Sequence, residues 1–401
     1  MLNLFAVKNR ENYVTKLLKG REIMAYGLVF DGGGARGAFH IGVWRALKEQ
    51  NIDVSVVCGA SIGAINAALY IMDDLDKAYE IWSKIDLSDV ILMPEGIKVK
   101  EDLFDVRNLP AIARQIKNKK GLDPEPLKKL LKENISEEKI RGSSVDFGLV
   151  AYSITNKKEE ELYINDIPEG ELLEYIMASA SFPGFKAKEI NKSLFIDGGV
   201  ANNMPVNMLT KKGIKDIITV DVKGVGFYKD FNTAGTNIIN ISCKKPYVGT
   251  LEFNSDGIKK SIEEGYLETK RAFGELCGKN YFFTNKSYTR ARKKYSTQII
   301  DGIESGAQIL DIERLKVWDF NELCSEVTTA FSKVVLTNEI IAKLNSNKID
   351  IHRVFELVKD EQRLALLVKL LQKNGYDYLK GKAPKAMGEM YRAANAILYF
   401  L

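Results

Sequence analysis

Apolar residues along this chain follow two rhythms. Short, nearly continuous runs bounded by turn residues recur at Tyr26 to Phe30, Val54 to Cys58, Asp146 to Tyr152, Ser193 to Ile196, Asp216 to Val222 and Asn237 to Ile241, a pattern that predicts strands. Between them lie segments with helical spacing. Gly37 to Gln50 places Ile41, Trp44, Ala46 and Leu47 on a face, and Ile62 to Ile71 is almost wholly apolar, as in a helix packed inside a sheet-centred core. Strands alternating with helices predict an α/β domain with a mainly parallel sheet.

The rhythm changes twice. From Leu87 to Ile140 the pattern is helical but polar and irregular, punctuated by Pro94, Pro110, Pro124 and Pro126, and reads as an insertion that can cap or flank a site. Glu252 to Leu276 reads as a long helix closing the first domain. Beyond Lys279, after the basic patch Arg290 to Lys294, strand signals fade and amphipathic helices dominate. The expected organisation is an N-terminal segment 1–24, a catalytic domain 25–278 and a helical domain 279–401. In the tail, Leu364, Leu367 and Leu371 recur at helical spacing, as do Met387, Met390, Ala394, Ile397 and Leu401 after Pro384. Helix packing is the favoured reading; a lipid-facing last helix is the alternative.

Composition narrows the class without choosing a function. The 401 residues are 45% hydrophobic and 28% charged, with a net charge of +5, which suits a globular protein and argues against a dedicated nucleic-acid binder, while fitting weak attraction to an anionic surface. No run reaches the roughly 18 to 20 apolar residues needed to span a bilayer. The first residues carry too short an apolar run for a secretory signal, so a cytoplasmic protein, peripheral at most to a membrane, is expected. Cys58, Cys243, Cys277 and Cys324 lack paired spacing, so neither disulfides nor a zinc site is expected. Only two histidines occur, His40 and His352.

Three motifs carry chemistry. Gly59-Ala60-Ser61-Ile62-Gly63 follows a strand and opens a helix, the setting of a nucleophile elbow, where small flanking residues permit a tight strand-to-helix turn. Asp31-Gly32-Gly33-Gly34-Ala35-Arg36-Gly37 also follows a strand, and fits a dinucleotide-binding loop as well as an oxyanion hole. The acid that would hold a ribose belongs at the end of the second strand, but Asp53 precedes that strand and Ser61 occupies its end, which favours the oxyanion hole. Arg36 is a cation at a helix start, an unfavourable place unless a partner compensates, and pinning the loop is its favoured role. Asp31 is read as a cap or turn residue.

Ser61 needs a base. His40 sits on the helix after the glycine loop and is better read as packed; His352 lies in the tail. Asp197 ends a strand and is followed by Gly198 and Gly199, which allow close approach of another backbone. A Ser61–Asp197 dyad follows, and an aspartate can serve as base only when partly desolvated or when proton transfer is tightly coupled to attack.

In this order the three motifs resemble the patatin-like phospholipase family. Ala178-Ser179-Ala180-Ser181-Phe182-Pro183-Gly184-Phe185 is similar to the serine- and proline-containing block that precedes the family's aspartate, and Asp197-Gly198-Gly199 with Asn203-Met204-Pro205 is similar to its DGG block. The resemblance spans residues 25 to 275. It implies a variant of the α/β hydrolase fold, a three-layer α/β/α with a mainly parallel central sheet, here with a mostly helical C-terminal region. It assigns Ser61 as nucleophile, Asp197 as base and Gly32, Gly33 and Gly34 as the oxyanion hole; Arg36, Gly37, Gly59, Gly63, Gly198 and Gly199 support the motifs. His40 has a counterpart in many relatives without being catalytic.

The expected function is hydrolysis of fatty-acyl esters of lipids or phospholipids through an acyl-enzyme, with no metal or organic cofactor and no nucleic-acid partner. The alternatives are a membrane-associated lipid-binding or regulatory protein with little turnover, and nucleotide binding through the glycine loop.

Overall fold

The computed structural model describes residues 25–98, 102–119, 121–231, 233–337, 358–375 and 388–401. The expected segment 1–24, together with His352, Pro384 and Met387, lies outside the described residues. The chain divides into two compact units, with the division between Ala272 and Phe273.

The first unit is built on an eight-stranded sheet. Five strands run parallel in the order β3 (Asp146–Ser153), β2 (Val54–Ala60), β1 (Tyr26–Phe30), β7 (Asp216–Asp221) and β8 (Asn237–Ser242). β1 is buried at every position, the signature of a central strand covered on both faces, and this explains why its sequence is continuous rather than alternating. Val29, Val56, Cys58, Val150 and Ile217 share one face and pack against Val206, Met208 and Leu209 of helix Val206–Lys211. On the other face Phe30 stacks on His40 at 4.5 Å and meets Tyr70 edge-on, so helices Ala38–Glu49 and Ile62–Ile71 cover that side. Helix Ser255–Ala272 packs along Ala38–Glu49. Gly42 and Gly265 permit this closeness: a Cβ at Gly42 would lie 1.8 Å from the Ile262 carbonyl oxygen, and one at Gly265 would lie 2.1 Å from that of Phe39. The architecture is the expected α/β/α, with a mixed, mostly parallel sheet.

Two strands escape the apolar pattern. β4 (Lys158–Tyr163) reads Lys-Glu-Glu-Glu-Leu-Tyr and no position is fully buried; it runs antiparallel along the outer edge of β3. β5 (Lys188–Ile190) is a three-residue edge strand on β6 (Ser193–Asp197). Charged residues blunt such edges.

The β3 register brings two strand ends together. Ala60 of β2 pairs with Val150 and Asp197 of β6 pairs with Ala151, while β4 occupies the opposite edge along both positions. β2 arrives parallel to β3 and β6 arrives antiparallel, so the two strands meet end to end on one edge of β3. The residues at their ends are Ser61 and Asp197.

The second unit holds a small sheet of Leu276–Cys277, Phe282–Thr284 and Val317–Trp318. Leu276–Cys277 pairs with Phe282–Thr284, so residues 273–278 lie in this unit rather than the first. Helices Asn285–Lys294, Thr297–Ile309, Phe320–Ser332, Asp360–Asn374 and Gly388–Phe400 complete it. Leu364, Leu367 and Leu371 are buried with Ala394 and Ile397 in one core, so the apolar face of the last helix is used in packing. Among the described residues, no helix is long and apolar enough to cross a membrane.

Candidate active site

Ser61 stands at the turn between β2 and the following helix with φ 56 and ψ −124. Positive φ at a non-glycine residue costs on the order of 1–3 kcal/mol and persists only where neighbours enforce it. The flanking glycines are part of that enforcement. A Cβ at Gly59 would lie 2.2 Å from the Gly63 carbonyl carbon, and one at Gly63 would lie 2.2 Å from the Phe30 carbonyl oxygen. Ser179 supplies a further restraint: its hydroxyl accepts the Ser61 N–H at 2.9 Å and donates to the Val150 carbonyl at 2.6 Å. The elbow is thereby tied to the same stretch of β3 that positions both strand ends.

Across the junction, Ser61 Oγ donates to Asp197 Oδ2 at 2.6 Å. Oδ1 accepts the Gly199 N–H at 2.7 Å, and Gly198 must be glycine because a Cβ there would lie 2.1 Å from the Val150 carbonyl oxygen. Asp197 is only 4% exposed. Burial raises its carboxyl from the ordinary aspartate range to about 6, against the lowering effect of the hydrogen bonds from Ser61 and Gly199. A base poised near 6 is a far better proton acceptor than an ordinary aspartate and is still ionised at neutral pH.

The glycine loop passes beside this pair, since a Cβ at Gly32 would sit 3.2 Å from Ser61 Cβ. The Gly32 N–H donates to the Asn203 carbonyl at 3.1 Å, and Asn203 Nδ2 donates back to the Gly32 carbonyl at 3.0 Å. This reciprocal clip joins the glycine loop to the turn after Asp197 and takes up the Gly32 amide. The amides of Gly33 and Gly34 have no acceptor among the described residues, whereas Ala35 donates to the Thr250 carbonyl at 2.8 Å. Gly34 has φ +59, and a Cβ there would lie 2.0 Å from the same Thr250 oxygen. Arg36 Nε donates to the Val248 carbonyl at 3.2 Å and its Nη1 to the Lys223 carbonyl. The cation at the helix start is therefore spent on two neighbouring loops.

His40 is hydrogen-bonded to neither Ser61 nor Asp197. Its ring lies fully buried, with Nε2 3.3 Å from Asp31 Oδ1 and Nδ1 3.1 Å from Asn66 Nδ2. Because Asn66 Nδ2 is a donor, Nδ1 accepts and Nε2 carries the proton toward Asp31. Burial lowers the imidazole to about 3 and holds it neutral. Asp31 accepts further from the Val222 amide and the Tyr228 hydroxyl; burial pushes its carboxyl well up, with Asp221 adding to the effect. Asp31 is thus a buried hub behind the glycine loop, beyond a simple turn residue.

Ser179, Asn203, Asn66 and Tyr228 escaped the sequence reading as functional residues. Ser179 and Asn203 stand inside the two blocks that carried the family resemblance, which marked their segments but not their contacts. Among the described residues, no group of three or more His, Cys, Asp or Glu side chains is placed to hold a metal.

The patatin-like phospholipase family model matches residues 28–210, a stretch that runs from within β1 through β6 and holds both members of the Ser61–Asp197 pair. Over these residues the chain is similar to patatin-like phospholipase domains. The lysophospholipase NTE1 of Kluyveromyces lactis is 29% identical over 226 residues, covering 55% of this chain and 14% of that protein. The lysophospholipase NTE1 of Saccharomyces cerevisiae is 30% identical over 219 residues, 54% of this chain and 12% of that one, and the neuropathy target esterase sws of Drosophila melanogaster is 26% identical, with 55% and 14% covered. The chain therefore spans about one seventh of the length of these relatives. Among solved structures, VipD of Legionella pneumophila aligns over 93% of this chain and 90% of its own at 14% identity, with a TM-score of 0.40.

Proposed function

We propose that this patatin-like phospholipase domain hydrolyses fatty-acyl esters of phospholipids or lysophospholipids, with Ser61 as nucleophile and Asp197 as its base. The observation that carries the reading is the 2.6 Å hydrogen bond from Ser61 Oγ to a buried carboxylate, with the glycine loop passing Ser61 at Gly32 and the Gly33 and Gly34 amides without an acceptor among the described residues.

Ser61 Oγ attacks the ester carbonyl carbon as its proton passes to Asp197 Oδ2. The negative charge that develops on the carbonyl oxygen is met by the Gly33 and Gly34 N–H groups, with Gly32 holding the loop through Asn203. The tetrahedral species collapses, the C–O bond to the alcohol breaks, and the leaving alkoxide takes the proton from Asp197. Water then gives its proton to Asp197 and attacks the acyl-Ser61 carbonyl. Collapse releases the fatty acid, and Ser61 Oγ recovers the proton. The Gly199 N–H keeps Asp197 oriented throughout, and the strained Ser61 backbone keeps Oγ raised above the turn.

Release of fatty acid from phosphatidylcholine and lysophosphatidylcholine by native and Ser61→Ala protein tests the reading. Loss of release by about a thousandfold or more is expected, the scale on which removing a serine nucleophile acts. Equal release by both proteins removes Ser61 from the chemistry.

A further inference from the structure

The segment 102–119 presents a surface that hydrolysis at Ser61 does not require. Phe104, Val106, Leu109 and Ile116 are 45%, 76%, 49% and 42% exposed. Within helix Leu109–Lys119, Leu109, Ala113 and Ile116 are exposed and fall on one face by their spacing, while Ala111 and Ile112 are buried. A helix on a globular protein ordinarily turns polar side chains outward. Here the outward face is apolar and is flanked by Arg114 and Lys117, both exposed and neither ion-paired with another described residue. The helix contains no Asp or Glu.

This surface adjoins the dyad. The Phe104 ring lies 6.1 Å from that of Phe182, and the residue before Phe182, Ser181, accepts the Asp197 N–H on its carbonyl at 2.9 Å. On the same wall, a Cβ at Gly184 would lie 4.0 Å from Ile116 Cδ1. Exposed apolar side chains, with the ion-paired Asp105 and Arg107 in the preceding loop and Arg114 and Lys117 on the helix, thus run from solvent toward Phe182 and the strand end that carries Asp197.

We propose that residues 102–119 seat the protein on the surface of an anionic phospholipid bilayer. The inference rests on the lipid-hydrolase reading and adds where the substrate-bearing surface is met. Apolar side chains of this kind enter the boundary between headgroups and acyl chains, while Arg114 and Lys117 meet headgroup phosphates. The match is one of charge as well as of polarity: a helix with cations and no acidic residue, on a chain of net charge +5, fits an anionic surface and not a cationic one. The last helix of the chain is a poorer candidate, because Ala394 and Ile397 are buried in the core of its own unit.

The test is sedimentation of full-length Ser61→Ala protein with vesicles of phosphatidylcholine alone or mixed with phosphatidylglycerol. Partition onto the mixed vesicles is expected to fall about tenfold or more in Leu109→Glu/Ile116→Glu and in Arg114→Glu/Lys117→Glu, while Tyr399→Glu/Leu401→Glu, at and just after the end of the last helix, leaves it unchanged. Thermal unfolding followed by circular dichroism shows whether each variant is folded. If the helix variant is not, Val106→Glu, in the preceding loop, replaces it and is expected to weaken partition in the same direction. Unchanged partition in the folded variants of residues 102–119 overturns the proposal. So does a Leu109→Glu/Ile116→Glu protein that changes from dimer to monomer with its partition intact, because the surface would then belong to a second copy of the chain. The Ser61→Ala background does not turn over lipid, so failure of the docking proposal leaves the hydrolysis assay standing, and the reverse holds equally.

Discussion

Ser61 Oγ donates to Asp197 Oδ2 at 2.6 Å because their strands end against each other on one edge of β3, at Val150 and Ala151. The Ser61–Asp197 pairing is a consequence of register. Moving either strand by one residue would turn its side chains to the other face of the sheet, so the geometry is protected by the same pairing that builds the core.

The first consequence concerns pH. With Asp197 as the proposed base, attack on an ester requires its carboxylate form, and burial places that carboxyl near 6. The rate constant kcat/KM for a soluble ester is expected to rise with pH through a midpoint near 6 and to level above about 7. A pH profile of initial rates checks this. A midpoint near 4 would mean that the base is not desolvated.

A second consequence concerns stability. Asp197 is protonated more readily in the folded chain, near 6, than the value of 3.8 it would have when unfolded. A raised carboxyl stabilises the folded state only while it is protonated there, so its contribution is lost as pH climbs from about 4 through 6. The difference amounts to about 3 kcal/mol. Asp197→Asn is therefore expected to stop turnover and yet unfold at higher denaturant than the native protein at pH 8, with the difference vanishing near pH 4. Urea unfolding at the two values measures it.

A third consequence separates His40 from catalysis. His40→Ala takes one hydrogen-bond partner from each of the buried Asp31 carboxyl and Asn66 amide and opens a cavity beneath Phe30, with a loss of about 3 kcal/mol or more. The residual activity should keep the native midpoint near 6, because the titrating group is Asp197. A shifted midpoint would assign His40 a part in proton transfer.

Ser179→Ala tests the brace on the elbow. The Ser61 N–H and the Val150 carbonyl both lose a partner, each worth about 1–3 kcal/mol when left buried and unsatisfied. The expectation is a fall in kcat with KM little changed, and partial recovery in Ser179→Thr, which restores the hydroxyl. Steady-state kinetics on a soluble ester checks both. A native kcat in the alanine variant would remove Ser179 from the positioning of Ser61.

The parts legible in the sequence were those written in local pattern. β1, β2 and β7 are buried along continuous apolar runs, and the glycines around Ser61 and Asp197 mark turns that a side chain would block. Arg36 stood out because a cation at a helix start calls for a partner, and the Val248 and Lys223 carbonyls are that partner. The illegible parts depend on distant pairing. β4 is a charged edge strand with no apolar rhythm; the hydroxyl of Ser179 meets Ser61 across 118 positions. The diversion of the Gly32 amide to Asn203 is set 171 positions away, and no spacing within the glycine loop distinguishes Gly32 from Gly33 and Gly34.

The proposed roles of Ser61 as nucleophile and Asp197 as its activating base have a direct readout. Labelling of the full chain with a fluorophosphonate, followed by peptide mass spectrometry, provides it. A single phosphonylated peptide carrying Ser61 is expected in the native protein, with labelling slowed by about a hundredfold or more in Asp197→Asn. An adduct on Ser179 or Ser181 in place of Ser61, or undiminished labelling of Ser61 in Asp197→Asn, would contradict these roles.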